Sequence, residues 1–188
     1  MNHRTESYDL DQQAPQWLAW RARIESEVTD FVRREMPAYA SNPWCREGLL
    51  RAEEIALHHF PTAQSLWLPQ RREITDQLSM YLGEALRRTF CGEWSNRSHR
   101  ARWHDDLGPT IGFPFTTLLC EIRDDLEVAV QDRTGHHWAA VWDGYLGYAR
   151  EWRKYGSPPP EQWELAGWEP PEDKESRRDS DDQQTPGA

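Results

Sequence analysis

Two adjacent histidine pairs are the residues of this chain best suited to metal chemistry. The pairs are His58-His59 and His136-His137, and histidine is a common ligand for zinc and other transition metals. Neighbours on a helix point about 100° apart, so one pair cannot readily give two ligands to one ion. The H-E-x-x-H spacing that could do so is absent from the sequence. We therefore expect no metal site and no cofactor.

The three cysteines offer a second possible chemistry, nucleophilic catalysis. Cys91 or Cys120 would need a nearby histidine and an orienting acid, for which Asp143 and Glu84 are available. Cys91 falls at the C-terminus of a predicted helix, where the helix dipole opposes a thiolate, and Cys120 falls within another predicted helix. With Cys45 the number of cysteines is odd, which favours reduced, buried thiols over disulfides.

Other catalytic patterns are weak or missing. The acid pairs Asp105-Asp106 and Asp124-Asp125 lie in charged surroundings, so a solvated surface explains them better than acid–base catalysis does. The sequence contains neither a phosphate-binding loop nor a dinucleotide fingerprint. We therefore predict no catalytic residue.

A tryptophan-bearing island in the C-terminal segment is the strongest candidate for a binding site. From Ser157 onward the chain carries nine acids, three bases and six prolines, so residues 156–188 are predicted to be a disordered acidic tail. Within this tail, Trp163, Leu165 and Trp168 are costly to leave in water, and tryptophan is enriched among interface anchors. Two interpretations are open: the island covers an apolar patch on its own domain, or it docks on a partner, which would make these three the partner-binding residues.

The N-terminal half predicts two helices. The first runs from about Pro15 to Met36, and the second begins with Asn42 as N-cap and Pro43 at its first position and ends by Phe60, because Pro61 follows. We expect the two to form an antiparallel hairpin. Large apolar residues recur at steps of three and four along the first: Trp17, Trp20, Ile24, Val28 and Phe31.

A third helix, from about Gln70 to Phe90, has the most regular pattern. Glu73 and Asp76 lie off its apolar stripe near the start, which suits the helix dipole. Gly92 is predicted to be the left-handed residue that ends the helix. The stripe consists of Ile74, Leu78, Tyr81, Leu82, Ala85, Leu86 and Phe90.

The second half mixes strand and helix patterns. Residues 93–115 predict two or three short strands or extended loops, and Thr116 or Thr117 could then cap a short helix that bears Leu118, Leu119, Ile122 and Leu126. A last helix is predicted from about His137 to Trp152. Its Gly144 and Gly147 suggest close packing on another element.

Part of this pattern resembles a known type of sequence. Tyr81, Gly83 and Glu84, followed by Gly92 and Trp94, form a Y-x-G-E…G-x-W pattern that is similar to small uncharacterised bacterial domains of actinobacterial type. The resemblance extends over roughly residues 74–148 and implies a helix, a short sheet and a further helix. It brings no catalytic residues. The residues themselves indicate structural roles, in which Gly83 admits a neighbouring element, Tyr81 and Trp94 fill the core, and Glu84 either satisfies nearby backbone N–H groups or pairs with Arg87 or Arg88.

Composition sets the remaining bounds. The net charge of −10 argues against a nucleic-acid or membrane partner and favours a basic protein partner. The sequence has no signal peptide or membrane span, so we expect a cytoplasmic protein. Twenty of its 22 basic residues are arginine, which indicates a high-GC bacterial genome.

These observations together predict the fold and two classes of function. The fold is α+β, a mainly helical single domain with a small antiparallel sheet over residues 12–155, after a flexible N-terminus at 1–11. The leading function is a non-enzymatic protein-binding protein, such as an immunity or adaptor factor, with an acidic surface for a basic partner. The alternative is an enzyme of unidentified reaction with an aromatic-lined cleft.

Overall fold

A computed structural model of the chain describes residues 12–97 and 107–165, except for the side chains of residues 164 and 165. The predicted α+β class is confirmed: the domain is mainly helical with one three-stranded antiparallel sheet. Its elements are α1 (Pro15–Glu35), α2 (Arg46–His59), α3 (Arg72–Phe90), β1 (Glu93–Asn96), β2 (Pro109–Phe113), β3 (Thr116–Glu121), α4 (Ile122–Asp132), α5 (His137–Lys154) and α6 (Pro160–Leu165).

The long helices follow the predicted apolar stripes. All five large residues of the α1 stripe are buried, and they face α3 at the centre of the domain. The predicted hairpin of α1 with α2 is wrong, because α1 packs mainly on α3 while α2 packs mainly on α5. Each helix buries its stripe against a partner distant in sequence, and the 3₁₀ turn Pro37–Tyr39 lies between them.

The start of α2 also differs from the prediction. Cys45, not Asn42, is the N-cap, and its sulfur accepts a hydrogen bond from the Gly48 amide at 3.4 Å. The carbonyl of Pro43 accepts the hydroxyl of Tyr81 at 2.5 Å, so this residue serves a contact with α3 and not the first turn of α2. The predicted end of α2 before Phe60 is confirmed.

Helix α3 is buried on more than one side, which its stripe alone does not predict. It ends on Cys91 in the left-handed conformation (φ 55°, ψ 38°), so the assignment of that role to Gly92 is wrong. Gly92 is needed for a close approach, since a Cβ there would lie 2.5 Å from Cγ2 of Ile111. Asp76, which lies off the apolar stripe near the helix start, is only 5% exposed.

The sheet has the order β1-β2-β3, and Trp94, Ile111 and Cys120 are aligned across it. The predicted strands in 93–115 are confirmed for β1 and β2, while residues 98–106 lie outside the described part. The predicted short helix from Thr116 is wrong, because residues 116–121 pair with β2 and helix α4 begins only at Ile122.

The C-terminal part contains one confirmed helix and one that was not predicted. Helix α5 begins at His137 as predicted. A Cβ at Gly144 or Gly147 would meet nothing within 4 Å, so the prediction that these glycines mark close packing on another element is wrong. Helix α6 lies within the predicted tail, so the boundary at 155 is too early. Among the described residues, no helix combines the length and apolar character needed to cross a membrane.

Candidate functional site

The motif residues of α3 and β1 meet around the carboxylate of Glu84. Arg87 donates from Nε at 2.7 Å and from Nη2 at 3.0 Å, and Arg88 donates from Nε at 2.7 Å. Trp94 adds its indole N–H at 2.8 Å. Glu84 therefore pairs with both arginines that the sequence offered as alternatives, and it holds Trp94 as well.

The close approach of Trp94 depends on Gly83. A Cβ at Gly83 would lie 1.9 Å from Cη2 of the Trp94 ring, far inside van der Waals contact. On its other side, the Trp94 ring meets Trp20 edge-on with 5.4 Å between ring centroids. The prediction that Gly83 admits another element is confirmed by this contact. Tyr81, a further motif residue, is fully buried.

Burial and hydrogen bonding shift the pKa of Glu84 in opposite directions. Burial by itself favours the neutral acid, but the hydrogen bonds from Arg87, Trp94 and Arg88 outweigh it and lower the pKa of Glu84 to about 2. A carboxylate that is ionised throughout the physiological range and accepts four hydrogen bonds is a poor proton donor or acceptor. Its role is to fix the two guanidinium groups and the indole in position.

An open cleft of about 550 Å³ lies beside this cluster, between α1, α3 and β1. Charged side chains of both signs line it: Arg21, Glu25, Glu84, Arg87, Arg88 and Glu93. Arg88 also lies over the ring of Trp44, with 4.6 Å from its Cζ to the ring centroid. The cleft is thus polar, and the guanidinium group of Arg88 is held both by Glu84 and by the ring of Trp44.

A second polar cluster surrounds Asp125, between β3 and α5. The thiol of Cys120 donates to Oδ2 at 3.1 Å, and Nε2 of His137 lies 3.3 Å from Oδ1. The indole N–H of Trp138 donates to the Asp125 carbonyl at 3.3 Å. The acid that partners Cys120 is therefore Asp125. It is not Asp143 or Glu84, the two acids that the sequence offered.

The electrostatics of this second cluster oppose nucleophilic catalysis. Burial, followed by the negative charge of Asp125, raises the pKa of the Cys120 thiol well above its usual range. A hydrogen bond to Asp125 raises the pKa of His137 against a smaller effect of burial. A catalytic cysteine needs a cationic neighbour that stabilises its thiolate, whereas the Cys120 thiol is hydrogen-bonded to a carboxylate, so a thiolate is disfavoured.

The other two cysteines have different environments. Cys91 is exposed, which contradicts the expectation of a buried thiol there, and Cys45 is half-buried at the start of α2. Neither takes part in a disulfide.

Sequence reasoning missed two buried ionic groups that position these clusters. Glu53 of α2 is fully buried and accepts the backbone N–H groups of His137 at 3.0 Å and Trp138 at 2.8 Å, so it caps α5. Asp76 accepts Nη2 of Arg123 at 2.9 Å, and both side chains are under 10% exposed. The sequence carried no local signal for either group, since Arg123 is followed by Asp124 and Asp125 and Glu53 is followed by Glu54.

The predicted partner-binding residues are only partly within the described chain. Trp163 lies on α6 and is 4% exposed, with its ring centroid 5.1 Å from that of Tyr155. Its indole therefore covers its own domain, as the first interpretation of the island expected. Leu165 is the last residue of α6, its side chain lies outside the described part, and so does Trp168.

Within residues 12–97 and 107–165, no group of three or more histidine, cysteine or acidic side chains is arranged to hold a metal ion. No protein-family model, curated protein or solved structure matches this chain.

Proposed function

We propose that this chain is a non-enzymatic protein-binding protein of the cytoplasm that presents an acidic C-terminal region to a basic protein partner. The support is the distribution of charge. Residues 12–97 carry eleven acids and eleven bases, whereas residues 107–188 carry sixteen acids and eight bases. Opposite charge on a partner would speed encounter, while anionic nucleic acid or membrane would be repelled.

The observation that carries the proposal is an apolar edge within this acidic region. Leu118 of β3 is 73% exposed and Tyr155, just after α5, is 64% exposed. Helix α6 contacts β3, the strand that carries Leu118, and its Trp163 contacts Tyr155, so both exposed residues belong to segments that adjoin this small helix. Exposed apolar side chains within a charged surround are typical of interface centres.

The proposed partner contact comprises Leu118, Tyr155 and, from the sequence that follows α6, Trp168. An immunity or adaptor factor would have such a surface, and this class is suggested by analogy with other small acidic proteins of high-GC bacteria. The enzyme alternative has less support, because burial and the Asp125 carboxylate raise the pKa of the Cys120 thiol, so a nucleophilic thiolate is disfavoured.

The test compares the full chain with the double variant Leu118→Ser, Tyr155→Ser as baits in extracts of the source cells. We expect a protein of basic net charge to be retained by the wild type, released by moderate salt, and lost with the double variant. When that protein is purified and titrated into each form of the chain, the wild type should bind it more tightly than the double variant does. The matched control is Leu68→Ser, at an apolar residue that is 42% exposed outside this edge.

Three outcomes would contradict the proposal. The wild type could retain no basic protein, the double variant could bind as well as the wild type, or binding could be insensitive to salt. Thermal unfolding of each variant shows whether a loss of binding is a loss of fold.

A further inference from the structure

The cleft between α1, α3 and β1 has the size of a small-molecule site. Its volume is about 550 Å³, and pockets that hold small ligands fall within roughly 300–1,000 Å³. It lies in the part of the chain where acids and bases are balanced, away from α6 and the apolar edge formed by Leu118 and Tyr155. A ligand here would therefore be independent of the protein partner proposed above.

The cleft offers guanidinium groups with unused donors. Glu84 occupies Nε and Nη2 of Arg87 but only Nε of Arg88, so the terminal nitrogens of Arg88 make no hydrogen bond within the described chain. Arg21 has no carboxylate within ion-pair distance among the described residues, and its Cζ lies 5.8 Å from the ring centroid of Trp17. A guanidinium group can donate two parallel N–H hydrogen bonds, which match the two oxygens of a carboxylate.

The same cleft offers acceptors. Glu25 and Glu93 line it, both are exposed, and neither forms an ion pair with another described residue. With Glu84, these three acids balance the three arginines, so the lining carries no formal net charge. A simple anion would gain little from such a site, whereas a ligand with both charges could pair with each side.

We propose that this cleft binds a small zwitterion of the amino-acid or dipeptide class, with its carboxylate on Arg21 and Arg88 and its ammonium group on Glu25 or Glu93. Glu84 is a positioning residue in this arrangement, because it holds Arg87 and Arg88 without contacting the ligand. Arg88 is further held over Trp44. A fixed guanidinium loses less side-chain entropy on binding than a free one, which favours affinity for a small ligand.

The experiment is a ligand-observed NMR screen of the full chain with the twenty amino acids and a set of dipeptides as probes. Each probe that binds is then tested as its N-acetyl form, which lacks the ammonium group, and as its carboxamide, which lacks the carboxylate. We expect each of these changes to weaken binding about tenfold or more, since each removes one ion pair with a charged group.

Variants assign the two ends of the ligand. Arg21→Gln should weaken binding of the zwitterion about tenfold but leave binding of its carboxamide unchanged. The double variant Glu25→Gln, Glu93→Gln should likewise weaken binding of the zwitterion about tenfold but leave binding of its N-acetyl form unchanged. Arg21, Glu25 and Glu93 are exposed and unpaired, so the variants are expected to fold. Arg51→Gln and Glu54→Gln on α2, outside the cleft, are the matched controls and should bind like the wild type.

Several results would overturn the proposal. One is that no probe binds more tightly than about 10 mM, an affinity too weak for a specific site. Others are that both modified probes bind as well as the zwitterion, that Arg21→Gln has no effect, or that inorganic phosphate competes as well as the probe. The last result would identify a general anion site.

Discussion

Glu84 and Asp125 are two buried or half-buried carboxylates that organise their surroundings in different ways. Around Glu84 the donors are two guanidinium groups and an indole, none of which loses its proton in the physiological range. Around Asp125 the donors are a thiol and an imidazole. The first centre is a fixed ionic cluster, while the second contains a histidine whose charge depends on pH.

This difference shows that the partners of a carboxylate decide what it does. Hydrogen bonds from Arg87, Trp94 and Arg88 hold the pKa of Glu84 at about 2, so its ion pairs persist over the whole physiological pH range. Asp125 instead raises the pKa values of Cys120 and His137. The Glu84 centre should respond to acid alone, and the Asp125 centre should respond near neutral pH.

The largest effect is expected from titration of Glu84. Its folded pKa of about 2 lies below the value of 4.5 for an unperturbed Glu. Its contribution to the free energy of unfolding is therefore fully present above pH 4.5 and is lost as the pH falls through 2. The shift corresponds to roughly 3 kcal/mol. The measurement is the free energy of unfolding of the wild type minus that of Glu84→Gln, as a function of pH. A difference independent of pH would show that Glu84 is not held as an ion in the folded state.

The matched control for this titration is Asp143→Asn. Asp143 pairs with Arg46, but both side chains are over 40% exposed. Exposed ion pairs contribute little to stability, so this variant should follow the wild type between pH 2 and pH 5.

The next effect tests the packing of the Glu84 centre. Gly83→Ala would force Trp94 off the Glu84 carboxylate, because the new Cβ would lie 1.9 Å from its ring. We expect a loss of about 2–3 kcal/mol in the free energy of unfolding. Gly144→Ala on α5 is the control, since its Cβ would meet nothing and the helix should gain up to about 1 kcal/mol. Equal effects at the two glycines would rule out the close approach of Trp94.

The smallest effect is expected at the Asp125 centre and has the opposite sign in pH. The pKa of His137 is raised in the folded state, so its contribution is fully present below the unperturbed value of 6.5 and is lost as the pH rises through the folded pKa. Asp125→Asn should lower this pKa, which NMR of the imidazole protons measures directly. Asp132→Asn, which removes a weaker influence on His137, should lower it less. If the pKa of His137 is unchanged in Asp125→Asn, Asp125 does not stabilise the charged imidazole and the prediction is wrong.

Much of the Glu84 centre could be predicted because it is local. Glu84, Arg87 and Arg88 are three and four residues apart on one helix, and Trp94 follows within ten residues. The Asp125 centre was not predicted, because Cys120 was assigned to a helix. Its true place in β3 depends on pairing with β2, a contact that no periodicity within residues 116–121 reveals.

The sequence by itself determined the long helices α1, α3 and α5, since an apolar stripe at steps of three and four and a proline at a helix boundary act on neighbouring residues. Only the tertiary structure decided which helices pack together and which charges are buried in pairs. Asp76 meets Arg123 across 47 positions, and Glu53 caps a helix 84 positions away. Such a charge is stable in the interior only when a distant group supplies its partner, and nothing near it in the chain identifies that group.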